Sequence, residues 1–136
     1  MKKRIIALGL LWCLSAVMLQ AARVDTVLVR SAAMNKDVKV VYVLPDKAIG
    51  KQACPVVYLL HGYGGNARSW VQLKPELPQM ADEKGIIFVC PDGKNSWYWD
   101  SPENPAYRYE TFVTSELVKY TDGNYATIPD RKARAI

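Results

Sequence analysis

The chain has 136 residues, of which 50% are hydrophobic, and a formal charge of +5 from 18 Lys and Arg against 13 Asp and Glu. Lys2, Lys3 and Arg4 carry much of that excess at the very start. The remainder holds no basic block, so nothing points to a nucleic-acid partner, and the length allows one small domain or a piece of a larger one.

The first 22 residues read as a secretory signal. Lys2-Lys3-Arg4 is the charged start, Ile5 to Leu19 the apolar stretch, and Gln20-Ala21-Ala22 a small-residue cleavage site. The apolar stretch is shorter than the ~20 residues of a spanning helix and contains Gly9 and Ser15, so no stable membrane span is expected once it is removed. Cys13 lies within it, which gives no support to lipid attachment. The expected product is a secreted or periplasmic domain over 23–136.

Val24 to Arg30 and Val38 to Leu44 are rich in strand formers, with the turn residues Asn35-Lys36-Asp37 between them, so an antiparallel hairpin is predicted. Pro45 and the polar stretch Asp46 to Gln52 form a loop leading through Pro55 into Val56-Val57-Tyr58-Leu59-Leu60. An apolar run without alternation suits a central strand covered on both faces. It passes directly into His61-Gly62-Tyr63-Gly64-Gly65, where glycines let the backbone turn at the carboxyl edge of the sheet, the edge at which such sheets place ligands.

Ser69-Trp70-Val71 starts a helical turn, but Pro75 and Pro78 forbid one continuous helix. A short helix is predicted from about Pro78 to just before Gly85, followed by a second buried strand, Ile86 to Cys90, and a turn at Pro91-Asp92-Gly93. Tyr109, Phe112, Val113, Leu117 and Tyr120 share one face of a helix predicted from about Tyr107 to Tyr120, ended by Asp122-Gly123-Asn124. Glu116 falls on the same face, and a buried carboxylate there needs a structural hydrogen bond or ion pair. Arg131 to Ile136 enters another strand. If the runs at 56–60 and 86–90 are parallel neighbours, Cys54 and Cys90 sit near opposite ends and cannot form a disulfide, so both read as small buried hydrophobes.

The loop at 61–65 is the strongest site. When an ester carbonyl is attacked, charge develops on its oxygen, and preorganised backbone N–H donors stabilise it. The Tyr63 N–H is assigned to that role, with His61, Gly62, Gly64 and Gly65 supporting the loop. His61 is the lone histidine; beside the turn it orients the loop rather than serving as a general base. Ser96-Trp97-Tyr98-Trp99-Asp100 follows the second parallel strand at the same edge, and Trp97 and Trp99 could stack on a sugar or hold an aryl acyl group. Asp92 and Asp100 lie near this edge without an assigned role. None of Ser31, Ser69, Ser96, Ser101 or Ser115 has glycine two residues before and after it, so no nucleophile turn is present. One histidine and widely spaced thiols offer no zinc site, and no cofactor is implied.

From Ser31 to Ile136 the chain resembles the amino-terminal half of the putative-esterase family of α/β-hydrolases, which includes esterase D-like enzymes, feruloyl esterases and mycolyltransferases. The resemblance rests on Val43-Leu44-Pro45, Pro55 to Gly65, Ile86 to Gly93, Asn95-Ser96-Trp97-Tyr98, and Tyr109-Glu110-Thr111-Phe112 with Glu116-Leu117. It implies an incomplete α/β-hydrolase sheet in which an amino-terminal hairpin leads into parallel strands. It further implies a serine carboxylesterase acting on a small-molecule or polysaccharide ester, such as a feruloyl or acetyl ester, with Tyr63 as the oxyanion donor. Family members continue from a segment like Arg131 to Ile136 into a Gly-x-Ser-Met-Gly-Gly turn, with the acid and base further on. This chain is therefore expected to lack the triad, to be inactive alone, and to leave an unpaired apolar edge on the 56–60 strand.

Two other readings come from different classes. A noncatalytic fragment could bind carbohydrate through the aromatic loop. Gly62-x-Gly64-x-x-Ala67 also formally matches a dinucleotide fingerprint with Asp92 as the ribose ligand, although that fingerprint requires a helix to open at the loop.

Overall fold

In the computed structural model, residues 22–136 are described; the leader assigned to 1–22 lies almost wholly outside them. Strand β1 (Arg23–Ser31) and β2 (Lys36–Leu44) form the predicted hairpin, paired antiparallel from Arg23↔Leu44 to Ser31↔Lys36. Strand β3 (Val56–Tyr58) and β4 (Ile87–Pro91) are parallel neighbours, and β4 also pairs antiparallel with β2. The sheet order is β1-β2-β4-β3-β5, where β5 is Arg134–Ala135. Every residue of β4 is buried, as expected of a strand covered on both faces.

Alternation along β2 assigns its side chains to two cores. Val38, Val40, Tyr42 and Leu44 join Val56, Tyr58, Ile87 and Val89 on one face, packed by Tyr109, Phe112, Val113 and Leu117. On the other face Val43 and Phe88 meet Leu77 and Ala81, while Val41 and Cys90 meet Ala67. The arrangement is helix, sheet, helix. Cys54 and Cys90 are both free and buried, and burial pushes the Cys90 thiol up to about 12.

Several predicted elements shift. The stretch after Pro45, expected as loop, contains a short helix, α1 (Asp46–Ile49). Helix α2 is Ser69–Leu73, and α3 (Leu77–Lys84) carries Pro78 in its first turn and ends on left-handed Gly85. The helix expected over 107–120 begins at α4 (Tyr109–Thr111), passes through a π-helical stretch at Phe112–Leu117 and continues as α5 (Val118–Asn124). Each residue in a π turn advances less around the axis than in an α turn. After Leu117 the core-facing position therefore falls on Thr121, fully buried, rather than on half-buried Tyr120. Thr121 Oγ1 meets Tyr42 Oη at 2.9 Å. The helix also runs past its predicted end, through Gly123.

The expectation of a bare edge on β3 is corrected. After a 3₁₀ turn at Arg131–Ala133, β5 pairs in parallel with Val56 and Val57, so the chain's own last residues cover the first two residues of that edge and not the part from Tyr58 onward. Arg134 is anchored to Asp122 at 2.7 Å.

Glu116 has the structural partners its position demanded. Its carboxylate accepts from Ser31 Oγ at 2.5 Å and from the Ala33 N–H at 2.8 Å, tying the long helix to the β1–β2 turn. Removing a charged acceptor strands both donors, so Glu116→Ala should lower unfolding free energy by about 1–3 kcal/mol in urea titration, with Glu116→Gln recovering part of it. An unchanged midpoint for the alanine variant would show that the bridge is not structural.

Candidate oxyanion loop

Because β3 and β4 run parallel side by side, the segments that leave them emerge at one edge of the sheet. They are the loop at 61–65 and the loop at 92–100. The first contains a tight turn in which the Gly65 N–H donates to the Gly62 carbonyl at 3.0 Å. Gly64 has φ +78° and Tyr63 does not have positive φ, the pattern of a type II turn with Tyr63 at its second position and glycine at its third. Gly65 is needed for a different reason: a Cβ there would lie 2.9 Å from both His61 Nδ1 and Ser69 Oγ.

His61 joins the two loops. Its Nε2 accepts the Gly93 N–H at 3.0 Å, which requires an unprotonated Nε2, and so the proton resides on Nδ1, donated to the Gly62 carbonyl at 2.7 Å. With both nitrogens engaged, the imidazole orients backbone and has no free acceptor with which to deprotonate Ser69, the hydroxyl that shares its cavity. Ser69 Oγ instead accepts the Asn66 N–H at 2.9 Å.

Two more ties cross the same gap. Tyr98 Oη accepts the His61 N–H at 3.0 Å, and Asn95 Oδ1 accepts the Gly64 N–H at 2.8 Å. Burial pushes the Tyr98 hydroxyl up to about 12, so it remains neutral in its pocket. Its ring lies against Gly93, where an added Cβ would stand 2.3 Å from Cε1. Trp97 and Tyr98 both have left-handed backbones, φ +55° and +56°, a conformation costing roughly 1–2 kcal/mol per residue. This backbone turns Tyr98 inward and leaves Trp97 74% exposed. Ser96 Oγ, buried, braces the turn by donating to the Gly93 carbonyl and accepting the Tyr98 N–H.

The predicted site residues separate into three groups. His61, Gly62, Tyr63 and Gly65 line a cavity of about 240 Å³ together with Ser69, Trp70 and Leu73. The Gly62 and Tyr63 N–H groups make no hydrogen bond among the described residues, whereas the His61, Gly64 and Gly65 N–H groups are all engaged. Trp97 stacks on the Tyr63 ring at 5.6 Å between centroids, while Trp99, half exposed on the same loop, has no ring partner among the described residues.

Asp92 and Asp100 now have structural roles. Asp92 is buried 3.5 Å from His61 Nε2. Although burial alone would raise its pKa, hydrogen bonds from the Lys94 N–H and ammonium hold the carboxyl below its usual range. Asp100 accepts from the Thr111 N–H and hydroxyl at the start of the long helix. No group of His, Cys, Asp and Glu suited to a metal ion occurs among the described residues. The dinucleotide reading loses its structural requirement, since three residues, 66–68, separate the turn from the five-residue α2.

Asn95, Tyr98 and Gly93 were not singled out as loop supports from the sequence. Their signal was present, because Asn95-Ser96-Trp97-Tyr98 directly follows a parallel strand. The inward direction of Tyr98 depends on a backbone conformation that residue types do not announce.

The family described as "Putative esterase" matches residues 31–136. An acetyl esterase of Caldicellulosiruptor saccharolyticus is 25% identical over 112 residues, covering 76% of this chain and 41% of the relative. The diacylglycerol acyltransferase/mycolyltransferase Ag85A of Mycobacterium gordonae is 30% identical over 120 residues, covering 81% of this chain and 34% of the relative. The chain thus spans less than half the length of these curated relatives. A ferulic acid esterase structure superposes with a TM-score of 0.70 at 27% identity, over 85% of this chain and 47% of that one. On this match and this sheet, the chain belongs to the putative-esterase family and has an incomplete α/β-hydrolase fold.

Proposed function

We propose that this chain supplies the oxyanion-binding loop of an exported serine carboxylesterase, with the Tyr63 N–H as the donor. The observation that carries the reading is the unengaged Tyr63 N–H, next to the equally free Gly62 N–H, in a turn whose His61, Gly64 and Gly65 amides are tied down, beside an open cavity. A donor held in place before charge develops stabilises the oxyanion without reorganising, which is the usual source of large rate effects in acyl transfer. In this fold the second donor is the N–H of the residue after the nucleophile. No serine of the present sequence sits in a Gly-x-Ser-x-Gly turn, so residues 1–136 alone are proposed not to form an acyl-enzyme.

Export rests on the leader-like composition of residues 1–22; no helix among the described residues is long and apolar enough to cross a membrane. The stacked Tyr63 and Trp97 rings, with exposed Trp99 nearby, present an aromatic ledge suited to a feruloyl group or a sugar face. A polysaccharide ester is therefore the proposed substrate class. The same ledge would serve a noncatalytic carbohydrate-binding role.

Tyr63→Pro separates donor from fold. Proline suits the second position of a type II turn but removes the phenol ring together with the N–H, so Tyr63→Ala, which keeps the N–H and loses the ring, is its control and should retain most of the turnover. The chain alone is expected to hydrolyse p-nitrophenyl acetate no faster than its denatured control. Joined to the carboxyl-terminal half of the ferulic acid esterase it should gain turnover that Tyr63→Pro lowers about 10²–10³-fold in kcat. Turnover by the chain alone that a serine-directed phosphonate abolishes, or a proline variant as active as its parent, would refute the assignment. For the ledge, Trp97→Ala with Trp99→Ala should abolish retention on feruloylated arabinoxylan in affinity electrophoresis; unaltered retention would remove both residues from the substrate surface.

A further inference from the structure

Ala22 already belongs to the folded domain. Its side chain packs against the cluster of Val43, Leu77, Ala81 and Phe88, and its backbone nitrogen donates to Asp82 Oδ2 at 2.8 Å. Strand β1 starts at the next residue with Arg23 opposite Leu44, which brings Ala22 beside the end of β2 and the start of α1. There Asp82, a residue of α3, uses its other oxygen to accept the Asp46 N–H at 2.8 Å. One carboxylate therefore joins the entry to β1, the first turn of α1 and the body of α3.

This corner is short of positive charge. Asp82 has no Lys or Arg partner among the described residues, and Arg23 is turned to Asp25 at 2.7 Å. Desolvation, followed by the neighbouring Asp82 charge, pushes the Asp46 carboxyl above its ordinary value. An amide nitrogen at Ala22 offers Asp82 one donor and no charge. An ammonium at the same atom would offer three donors and the missing charge, in a charge-assisted bond.

We propose that the leader is cut between Ala21 and Ala22, one residue earlier than a leader of 1–22 would give, and that Asp82 holds the new Ala22 α-ammonium. A cut leader presupposes the export proposed above. Water delivered by an endopeptidase of the export path adds its oxygen to the Ala21 carbonyl carbon, the C–N bond breaks, and Ala21 leaves as a carboxylate. Both water protons end on the Ala22 nitrogen. Ala21 supplies the small residue required before the cut. A cut after Ala22 would discard the packed methyl group and leave Asp82 Oδ2 without its donor.

The test is amino-terminal sequencing of the product that a bacterium exports when it expresses the full chain. The product should begin Ala22-Arg23-Val24-Asp25. An exported product that begins at Arg23 would overturn the cut site and leave export standing, whereas a chain retained in the cytoplasm with residues 1–21 attached would overturn both. In a ¹⁵N NMR titration of the exported product, the Ala22 α-amine should titrate above the ordinary α-amino range of about 7.7–8.0 and fall back into it in Asp82→Asn. Because folding raises that proton affinity, the melting midpoint should gain most below about pH 8 and lose the gain as pH rises through the folded value, with Asp82→Asn showing no such loss. An α-amine that titrates in the ordinary range in the folded parent would overturn the ion pair, and this readout decides alone if Asp82→Asn does not fold. The same titration in parent and folded variant would also overturn it.

Discussion

The bond from the Gly93 N–H to His61 Nε2 is the constraint on which the site depends. It is a bond between loops that leave different strands, and it selects one tautomer of a buried imidazole. That choice puts the ring's one N–H proton on Nδ1, which donates it to the Gly62 carbonyl and fixes the turn from both sides. An oxyanion donor is effective only if it is already aimed when charge appears. Here His61, Asn95 and Tyr98 tie the turn down, and the Gly62 and Tyr63 N–H groups are left unengaged, the second being the donor proposed above.

The sheet makes this bond available. Parallel pairing of β3 with β4 brings the two loops to one edge, and burial of β4 on both faces holds the pair rigid. The long helix contributes at its beginning, where Asp100 closes the aromatic loop onto Thr111, and further along, where Glu116 anchors it to the hairpin. Thus the loop inherits its precision from buried valines and tyrosines some distance away. Strain at Trp97 and Tyr98 is tolerated because the inward Tyr98 gains a packed ring and a hydrogen bond with His61.

Much of this was legible in residue order. The unbroken run Val56 to Leu60 predicts a central strand, and the β-branched segments around Asn35 predict the hairpin, because both patterns follow from how strands bury side chains. Pro78 and Gly85 bracket α3 through their own backbone preferences. Glu116 on an apolar face announces a partner without naming it. Less legible were the features set by tertiary context. The π turn shifts the helical face from Tyr120 to Thr121, which a regular period cannot anticipate. The pairing of β5 with β3 depends on two residues at the end of a short segment. The inward direction of Tyr98 follows from left-handed backbone at Trp97 and Tyr98, residues with no intrinsic preference for it, and the burial of Asp92 beside His61 becomes apparent only once the strands are neighbours.

The most direct measurement is the imidazole ¹⁵N spectrum of His61 in the folded chain at neutral pH. The account predicts a neutral ring protonated at Nδ1, with Nε2 showing a scalar coupling to the Gly93 amide proton across the hydrogen bond. A ring protonated at Nε2, or one without coupling to Gly93, would mean that the two loops are not joined through this histidine, and the preorganised turn at 62–65 would lose its physical basis.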